Sequence, residues 1–341
     1  MKQPFRAGIV GCGNIGGQYD ENDTGGNVYT HAGMYRGIKE FDLLCASDIN
    51  SKRLRDFGNY WQVDHLYDDY EEMFKNETLD IISVATPDET HYQIILDVLQ
   101  YHPPKIIFTE KPLANSIEQA IEVYKKCKEK DVSLVVDYVR RWDENHQRVK
   151  EFIEQGKLGR VQAIVGYYVR GIRHNGCQMI NLIQFLFGRI IKVQVIGDSD
   201  LGSLNGDPSL NLLLTLEDSC QVNMIAIDQE GYGFSIFEID IFGQEGRLCL
   251  CDGGRKIELY KADSDIQFQN FRSLNKVSPT WESSTYGKAM IRAGEEFVLF
   301  LLGESKFLYN SVLEAIDDIY VIEAALESAR NYNIQTVVKR I

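Results

Sequence analysis

The sequence predicts an α/β protein with two parts. A doubly wound parallel sheet comes first, and an α/β region with a mostly antiparallel sheet follows. Three observations predict this. Short apolar runs alternate with helical stretches up to about residue 137. A glycine-rich turn follows the first apolar run directly. Beyond residue 138 the chain becomes strand-rich, and several strands alternate apolar and polar residues.

The elements follow in order. The run FRAGIV, residues 5–10, reads as a buried strand ending at Gly11-Cys12-Gly13-Asn14-Ile15-Gly16-Gly17. Phe41–Ser47 (FDLLCAS) is a second strand, with Asp48 at its C-terminal end. Leu79–Thr86 (LDIISVAT) is a third; it ends at Pro87-Asp88-Glu89-Thr90-His91, and a helix follows to about Gln100. Lys105–Thr109 (KIIFT) runs into Glu110-Lys111-Pro112, Ser116–Lys130 has helical periodicity, and Val132–Val136 is one more strand. Strands that are apolar throughout and separated by helices mean a parallel sheet covered on both faces. Ligands bind at the C-terminal ends of such strands. Gly11–Gly16, Asp48, Thr86–His91 and Glu110–Pro112 are therefore expected on one rim.

The pattern changes near Tyr138. Asp143–Gln155 reads as a helix with an acidic start, broken by Gly156-Lys157-Leu158-Gly159. Strands are expected at Val161–Val169, Lys192–Ile196, Asn211–Thr215, Gln221–Ile227, Ser235–Phe242, Arg247–Cys251 and Lys256–Tyr260, with one helix at Gln178–Phe187. Alternating apolar and polar residues fit an antiparallel sheet with one packed face. Helices at about Arg292–Leu302 and Val312–Asn331 close the chain. The expected domains are 1–137 and 138–341, with the last helix free to pack back on the first.

The glycine spacing G-x-G-x-x-G after a strand is the mark of a turn whose following helix holds a pyrophosphate. The first glycine allows the tight turn, the second lets backbone approach phosphate, and the third lets helix and strand pack closely. Exposed N–H groups and the helix dipole favour the anion. This is the Rossmann arrangement, and Gly11, Gly13, Asn14, Ile15 and Gly16 are its candidate cofactor residues. An acid at Asp48 would accept hydrogen bonds from ribose hydroxyls and repel a 2′-phosphate, favouring NAD over NADP. Its other reading is a helix cap before the segment starting at Asn50. The gap to Asp48 exceeds the usual value of about 20 residues. The excess, QYDENDTGGNVYT, reads as an inserted loop.

Composition narrows the partners. The chain has 341 residues, enough for two domains with a large core. Hydrophobic residues make up 44% and charged residues 25%, an ordinary globular balance. Net charge is −14, which argues against nucleic acid and anionic membranes as partners. No apolar run approaches the ~20 residues that span a bilayer, and the N-terminus MKQPFRAGIV carries no signal-peptide pattern. A cytoplasmic protein is expected. Seven scattered cysteines without C-x-x-C read as reduced thiols, and no metal site is expected.

The landmarks together resemble the glucose-fructose oxidoreductase / inositol dehydrogenase (Gfo/Idh/MocA) family over nearly the whole length. They are Gly11–Gly16, Asp48, Thr86-Pro87 with His91, Glu110-Lys111-Pro112, Arg140-Arg141 before a helix, Gly156-x-x-Gly159, and Glu323–Ala329 (EAALESA). The E-K-P tripeptide is the most specific of these. The resemblance implies a large open sheet in the second domain, often a dimer or tetramer interface. It also implies an NAD(P)-dependent oxidoreductase acting on CH–OH (EC 1.1.1.-) of sugars, inositols or nucleotide sugars. Thr86, Pro87, His91, Glu110 and Lys111 join the cofactor residues. Lys111 also becomes a catalytic and substrate residue, with Glu110 to orient it and a cis peptide before Pro112. From the chemistry alone, a lysine at that strand end would stabilise a developing alkoxide as hydride leaves.

One departure stands out. The family's second site element reads D/N-x-G-x-H-x-x-D, with the histidine as general base in many members. Here the stretch is His174-Asn175-Gly176-Cys177-Gln178-Met179-Ile180-Asn181. Gln178 replaces the histidine and Asn181 the aspartate, and neither takes a proton near neutral pH. The variant resembles members found in bacterial surface-polysaccharide synthesis. Three readings stay open: His174 is the base, Lys111 acts alone, or the chain binds cofactor and ligand without turnover as a sensor or scaffold. Arg140, Arg141, Arg170 and Arg173 flank the expected pocket. Guanidinium forks bind phosphate or carboxylate bidentately, so an anionic sugar, such as a nucleotide sugar or a uronate, is expected; the other reading is that these arginines pair with acids of the protein itself. Asn175, Gln178 and Asn181 complete the substrate candidates. Tyr167 and Tyr168 are candidates for stacking or plain packing, and His31 begins the helix after the inserted loop.

Overall fold

The computed structural model describes residues 3–21, 25–197, 203–204, 206–227, 237–264, 270–277, 281 and 284–340. Residues 22–24 of the insertion and residues 235–236 of one expected strand lie outside them. The chain forms two compact units, 1–143 with 287–316, and 144–286 with 317–341.

The first unit holds strands β1 (Phe5–Val10), β2 (Phe41–Ser47), β3 (His65–Tyr67), β4 (Ile81–Val84), β5 (Ile106–Thr109) and β6 (Ser133–Val136). They pair in the order β3-β2-β1-β4-β5-β6, all parallel. Strand order reverses between β1 and β4, so the crevice that binds ligands in such sheets opens beside Gly11 and Thr86. Every residue of β4 and β5 is buried, as helices on both faces require.

The helices begin where side chains cap them: α1 (His31–Gly37) at Thr30, α2 (Ser51–Trp61) at Asn50, α3 (Tyr70–Asn76) at Asp69 and α5 (Ile117–Glu129) at Ser116. Between α3 and α5, α4 spans His91–Val98. Asn50, not Asp48, accepts the N–H groups of Lys52 and Arg53. The cap reading of Asp48 is thereby assigned to its neighbour.

Two expectations about this unit change. The insertion does not precede the helix; it interrupts it. Gly13–Asp20 already makes one helical turn, with Gly17 N–H on Gly13 O (3.0 Å) and Tyr19 N–H on Asn14 O (3.0 Å). After the excursion, His31 N–H reaches Ile15 O (3.1 Å) and Ala32 N–H reaches Gly16 O (3.0 Å). Helical hydrogen bonding thus resumes on the carbonyls it had left. Asp20 holds the return closed: its carboxylate accepts Tyr29 N–H, Thr30 N–H and the Thr30 hydroxyl. The second change is the division of the chain, which a single cut at 137/138 does not describe. Trp142 and Phe297 stack edge-on against Phe108 of β5, at 5.9 and 5.0 Å between ring centroids. That shared apolar core brings the chain to residue 143, and the stretch 287–316, into the first unit.

The second unit adds α6 (Glu144–Glu154), β7 (Val161–Tyr168), α7 (Cys177–Phe187), β8 (Ile190–Val195), β9 (Ser203–Leu204), β10 (Asp207–Pro208), β11 (Leu212–Leu216), β12 (Gln221–Ala226), β13 (Phe237–Gly243), β14 (Gly246–Cys251), β15 (Lys256–Ser264), β16 (Arg272–Lys276) and β17 (Thr336–Val337). Helix α8 (Ala289–Leu301) lies in the first unit, and α9 (Val312–Arg330) spans the chain division at 316/317. Nine strands form one sheet in the order β16-β15-β14-β13-β7-β12-β11-β8-β17. The β7–β12 pair is parallel and the other pairs are antiparallel. Burial alternates along β7, β13 and β14, so one face is packed. Helix α7 covers that face where Gly166 gives it room: a Cβ there would lie 3.0 Å from the Met179 sulfur.

Candidate active site

The strand ends of the first unit carry the predicted rim. Gly11 has φ +97°, a region that favours glycine. A Cβ on Gly16 would lie 2.1 Å from Gly11 O, so only glycine lets this first helical turn sit on β1. A Cβ on Gly13 would meet nothing closer than the Arg53 guanidinium at 3.9 Å. The backbone is therefore tight beneath the turn and open above it. That is the cradle a pyrophosphate needs, and the residues present fit a dinucleotide.

Asp48 ties this turn to the end of β2. Its carboxylate accepts Cys12 N–H at 2.9 Å and Asn50 N–H at 2.8 Å, and pairs with Arg53 at 3.3 Å. A carboxylate offers about four lone-pair sites, so capacity remains for a ribose hydroxyl. Arg53 was absent from the sequence reading; its place one turn into α2 was the available signal.

The next strand ends are cross-pinned. Both ring nitrogens of buried His91 lie 2.8 Å from backbone carbonyls, Nδ1 from Pro112 and Nε2 from Thr86. The Thr90 hydroxyl bonds Thr86 Oγ1 at 2.7 Å. His91 thus fixes the loop after β5 to the loop after β4. The Lys111–Pro112 peptide is cis.

A buried polar cluster lies behind Lys111. Thr109 and Val136 pair in register on β5 and β6, so the next residues, Glu110 and Asp137, emerge side by side. His31 packs its ring on Phe108 at 4.6 Å and places Nε2 3.3 Å from Glu110 Oε1. Its Nδ1 lies 2.9 Å from Ser83 Oγ, which lies 2.8 Å from the Tyr35 hydroxyl. One consistent assignment runs through: Tyr35 donates to Ser83, Ser83 to His31 Nδ1, and His31 Nε2–H to Glu110. Burial pushes the Tyr35 phenol up, so it remains a donor. Burial alone would raise Glu110 as well. The hydrogen bond from His31, with the charges of Lys111 and His91 beside it, instead holds it below the usual carboxylate value. Burial, then the Glu110 charge and hydrogen bond, push Asp137 well above its usual value against the opposing Lys111 and Arg140. Sequence reading missed Asp137, Ser83 and Tyr35. Position at a strand end was the signal for Asp137.

Arg141 is not open to a ligand in the way the sequence suggested. It is buried and its guanidinium pairs with Glu314, which also accepts Ser311 N–H at 2.9 Å.

The second unit holds the other predicted residues. Gly171–Gly176 forms a π-helical turn leading into α7. Arg170 enters it at φ +69° and Gly171 at φ +78°. Asp207 of β10 caps the turn, accepting Arg173 N–H at 2.9 Å and His174 N–H at 2.9 Å, and Ser209 Oγ accepts Gly171 N–H at 3.1 Å. Burial raises Asp207 against those N–H bonds. π-Turns of this kind concentrate at functional sites. His174, Asn175 and Gln178 remain half-buried, and Arg170 is exposed. Arg173 pairs with Glu323 at 3.3 Å. Buried Asn181 donates to Asp318 at 2.6 Å, and Gln184 donates to the other Asp318 oxygen at 2.9 Å. Tyr168 is fully buried and its hydroxyl both accepts from and donates to the Leu210 backbone. It packs rather than stacks on a ligand. Lys111 and Arg140 thus belong to the first unit, and Arg170, His174, Asn175, Gln178 and Asn181 to the second.

The seven cysteines are free thiols, four of them buried. Among the described residues no helix is long and apolar enough to cross a membrane. The His31–Glu110–Asp137 set is the group of potential metal ligands found among the described residues.

Comparison with known proteins agrees with the first unit's geometry. Residues 5–138 match the oxidoreductase family profile with NAD-binding Rossmann fold, Gfo/Idh/MocA. A myo-inositol 2-dehydrogenase of Thermotoga maritima is 27% identical over 156 residues, 46% of this chain and 42% of that protein. An oxidoreductase of Bacillus subtilis, 25% identical over 159 residues, is likewise matched over 42% of its length, so the chain spans under half the length of these two relatives. A D-apiose dehydrogenase of Rhizobium rhizogenes is 26% identical over 87% of this chain and 90% of its own. The solved WlbA dehydrogenase of Bordetella pertussis, in complex with NADH and UDP-GlcNAcA, superposes with TM-score 0.79 at 17% identity, covering 100% of this chain and 99% of its own. That likeness shows a shared fold.

Proposed function

Starting from residues 5–138 as an NAD-binding Rossmann domain of the Gfo/Idh/MocA oxidoreductase family, we propose that the protein is an NAD-dependent oxidoreductase. It acts on a secondary hydroxyl or keto carbon of a sugar, and the sugar is a nucleotide sugar or another anionic derivative. When bound, the dinucleotide accepts or returns the hydride. Lys111, at the end of β5, hydrogen-bonds the reacting oxygen and gives or takes its proton. Glu110 and His91 hold that lysine's loop in place. Asp48 receives the ribose hydroxyls. His174 is the second proton carrier, and Asn175 and Gln178 orient the sugar hydroxyls. Arg140 and Arg170 receive the anionic group. Arg141 and Asn181, whose side chains are occupied by Glu314 and Asp318, act by supporting the loop and helix that carry their neighbours.

The observation that carries this reading is the juxtaposition of the glycine cradle, Asp48 and the Glu110-Lys111-Pro112 turn along one edge of one parallel sheet. The relatives named for inositol and apiose oxidation support the sugar class. The neighbour crystallised with UDP-GlcNAcA supports the nucleotide-sugar choice. A homodimer or homotetramer through the nine-stranded sheet, in the cytoplasm, completes the reading.

The deciding experiment adds a panel of sugars and UDP-, GDP- and CMP-sugars to the protein with NAD and follows the reduced-nicotinamide absorbance. Turnover of at least one anionic sugar is expected. A second reading, a sensor or scaffold that binds without turnover, is favoured by Gln178 and Asn181 at the base positions. Tight NAD binding with no absorbance change for any sugar would establish it instead.

A further inference from the structure

We propose that Asp137 is a positioning residue held as a neutral acid, sharing one proton with Glu110, so that Lys111 meets a single carboxylate charge. This rests on the reading of Lys111 as the acid–base group. The ligand-capable atoms of His31, Glu110 and Asp137 all lie within 4.8 Å of one another, and all three residues are buried. Two carboxyl groups packed this closely away from water do not both ionise. The hydrogen bonds decide which one does. Glu110 receives the His31 Nε2–H at the end of the donor chain from Tyr35 and Ser83. Asp137 Oδ1, by contrast, has no hydrogen-bond partner, so a charge on that oxygen would go unsupported, while as an acid the group can donate its proton to Glu110 across the hydrogen bond they share. Glu110 is therefore the anion and Asp137 the acid.

The charges around the pair agree. Lys111 and His91 face Glu110, and Lys111 and Arg140 face Asp137. Even with those cations near, burial and the Glu110 charge keep Asp137 raised well above an ordinary aspartate. The consequence falls on Lys111. Two ionised carboxylates would hold its ammonium proton too firmly to donate. One leaves a balanced pair from which the proton can pass to a substrate oxygen and return. The Asp137 proton itself stays in place, and no bond at it forms or breaks.

The test uses the full chain labelled with [4-13C]aspartate. Infrared spectra at neutral pH should show the isotope-shifted carbonyl stretch of a protonated aspartic acid. Asp137→Asn should remove it, and Asp207→Asn should leave it. Chemical denaturation of the wild type and Asp137→Asn across pH gives an independent readout. A raised folded-state value means the wild type loses stability as pH climbs above about 4, while the amide variant does not. The variant-to-wild-type ratio of folding constants should therefore grow about tenfold per pH unit until Asp137 ionises. If the variant does not fold, the labelled wild-type spectrum decides alone. No protonated band, or a ratio that is flat or falls with pH, would overturn the proposal. So would stabilisation of the wild type by zinc that the variant lacks, since a metal needs both carboxylates ionised. Neither readout requires turnover. A proton found on Asp137 together with undiminished turnover of Lys111→Ala would overturn the consequence drawn for Lys111 and leave the proton placement standing.

Discussion

Asp20→Ala should unfasten the insertion that delivers His31 to the site. The Asp20 carboxylate accepts Tyr29 N–H at 2.9 Å, Thr30 N–H at 3.0 Å and the Thr30 hydroxyl at 2.6 Å. Thr30 Oγ1 in turn accepts Gly33 N–H at 3.0 Å and caps α1. Removing the carboxylate leaves two backbone donors without their acceptor. Each such loss costs about 1–3 kcal/mol. The cap is weakened as well, by a fraction of the ~1 kcal/mol a cap contributes. Water entering the vacated space recovers part, so about 3–4 kcal/mol is expected, a large share of the ~5–15 kcal/mol that holds a typical domain together. Asp20→Asn keeps one acceptor oxygen and should cost roughly half as much. Urea unfolding gives the total, and amide hydrogen exchange gives its location. Exchange should accelerate at Tyr29, Thr30 and Gly33 before it does so in β4 and β5. A loss below about 1 kcal/mol for Asp20→Ala, with exchange unchanged at those amides, would refute the reasoning.

The other expectations are shorter. Lys111→Ala should lower turnover by about 10²–10⁴-fold while calorimetric NAD affinity is retained; a smaller loss removes it from acid–base work. Gly16→Ala, with its Cβ 2.1 Å from Gly11 O, should abolish measurable NAD binding and lower the melting temperature. Asp48→Ser should weaken NAD and improve NADP relative to it, read by titrating both. Gln178→His should raise turnover and add a rate dependence centred near pH 6.5, the ordinary histidine value; an unchanged profile would mean that position 178 does not face the reacting oxygen.

Much of the first unit was legible in the chain. Parallel strands buried on both faces write themselves as continuous apolar runs, and β1, β2, β4, β5 and β6 all read that way. The candidate site was legible in its placement, with Asp48, Glu110 and Lys111 following directly on the strands that the sequence had marked. It was hidden where a role depends on a distant partner. Nothing local to Arg141 announces Glu314, nothing near His174 announces Asp207, and nothing near Asn181 announces Asp318. The short edge strands β3 and β17 and the polar β16 lack enough alternating residues to declare a period.

The sequence by itself determined the parallel sheet, the glycine turn and the residues at its strand ends, because apolar period and glycine spacing are local properties of the chain. Tertiary structure alone decided that Phe297 and Trp142 complete the core around Phe108, that a helix resumes across its insertion, and that Asp137 stands beside Glu110. Each of these depends on packing or pairing between residues far apart along the chain. Burial of the surface they share, not any nearby signal, brings them together.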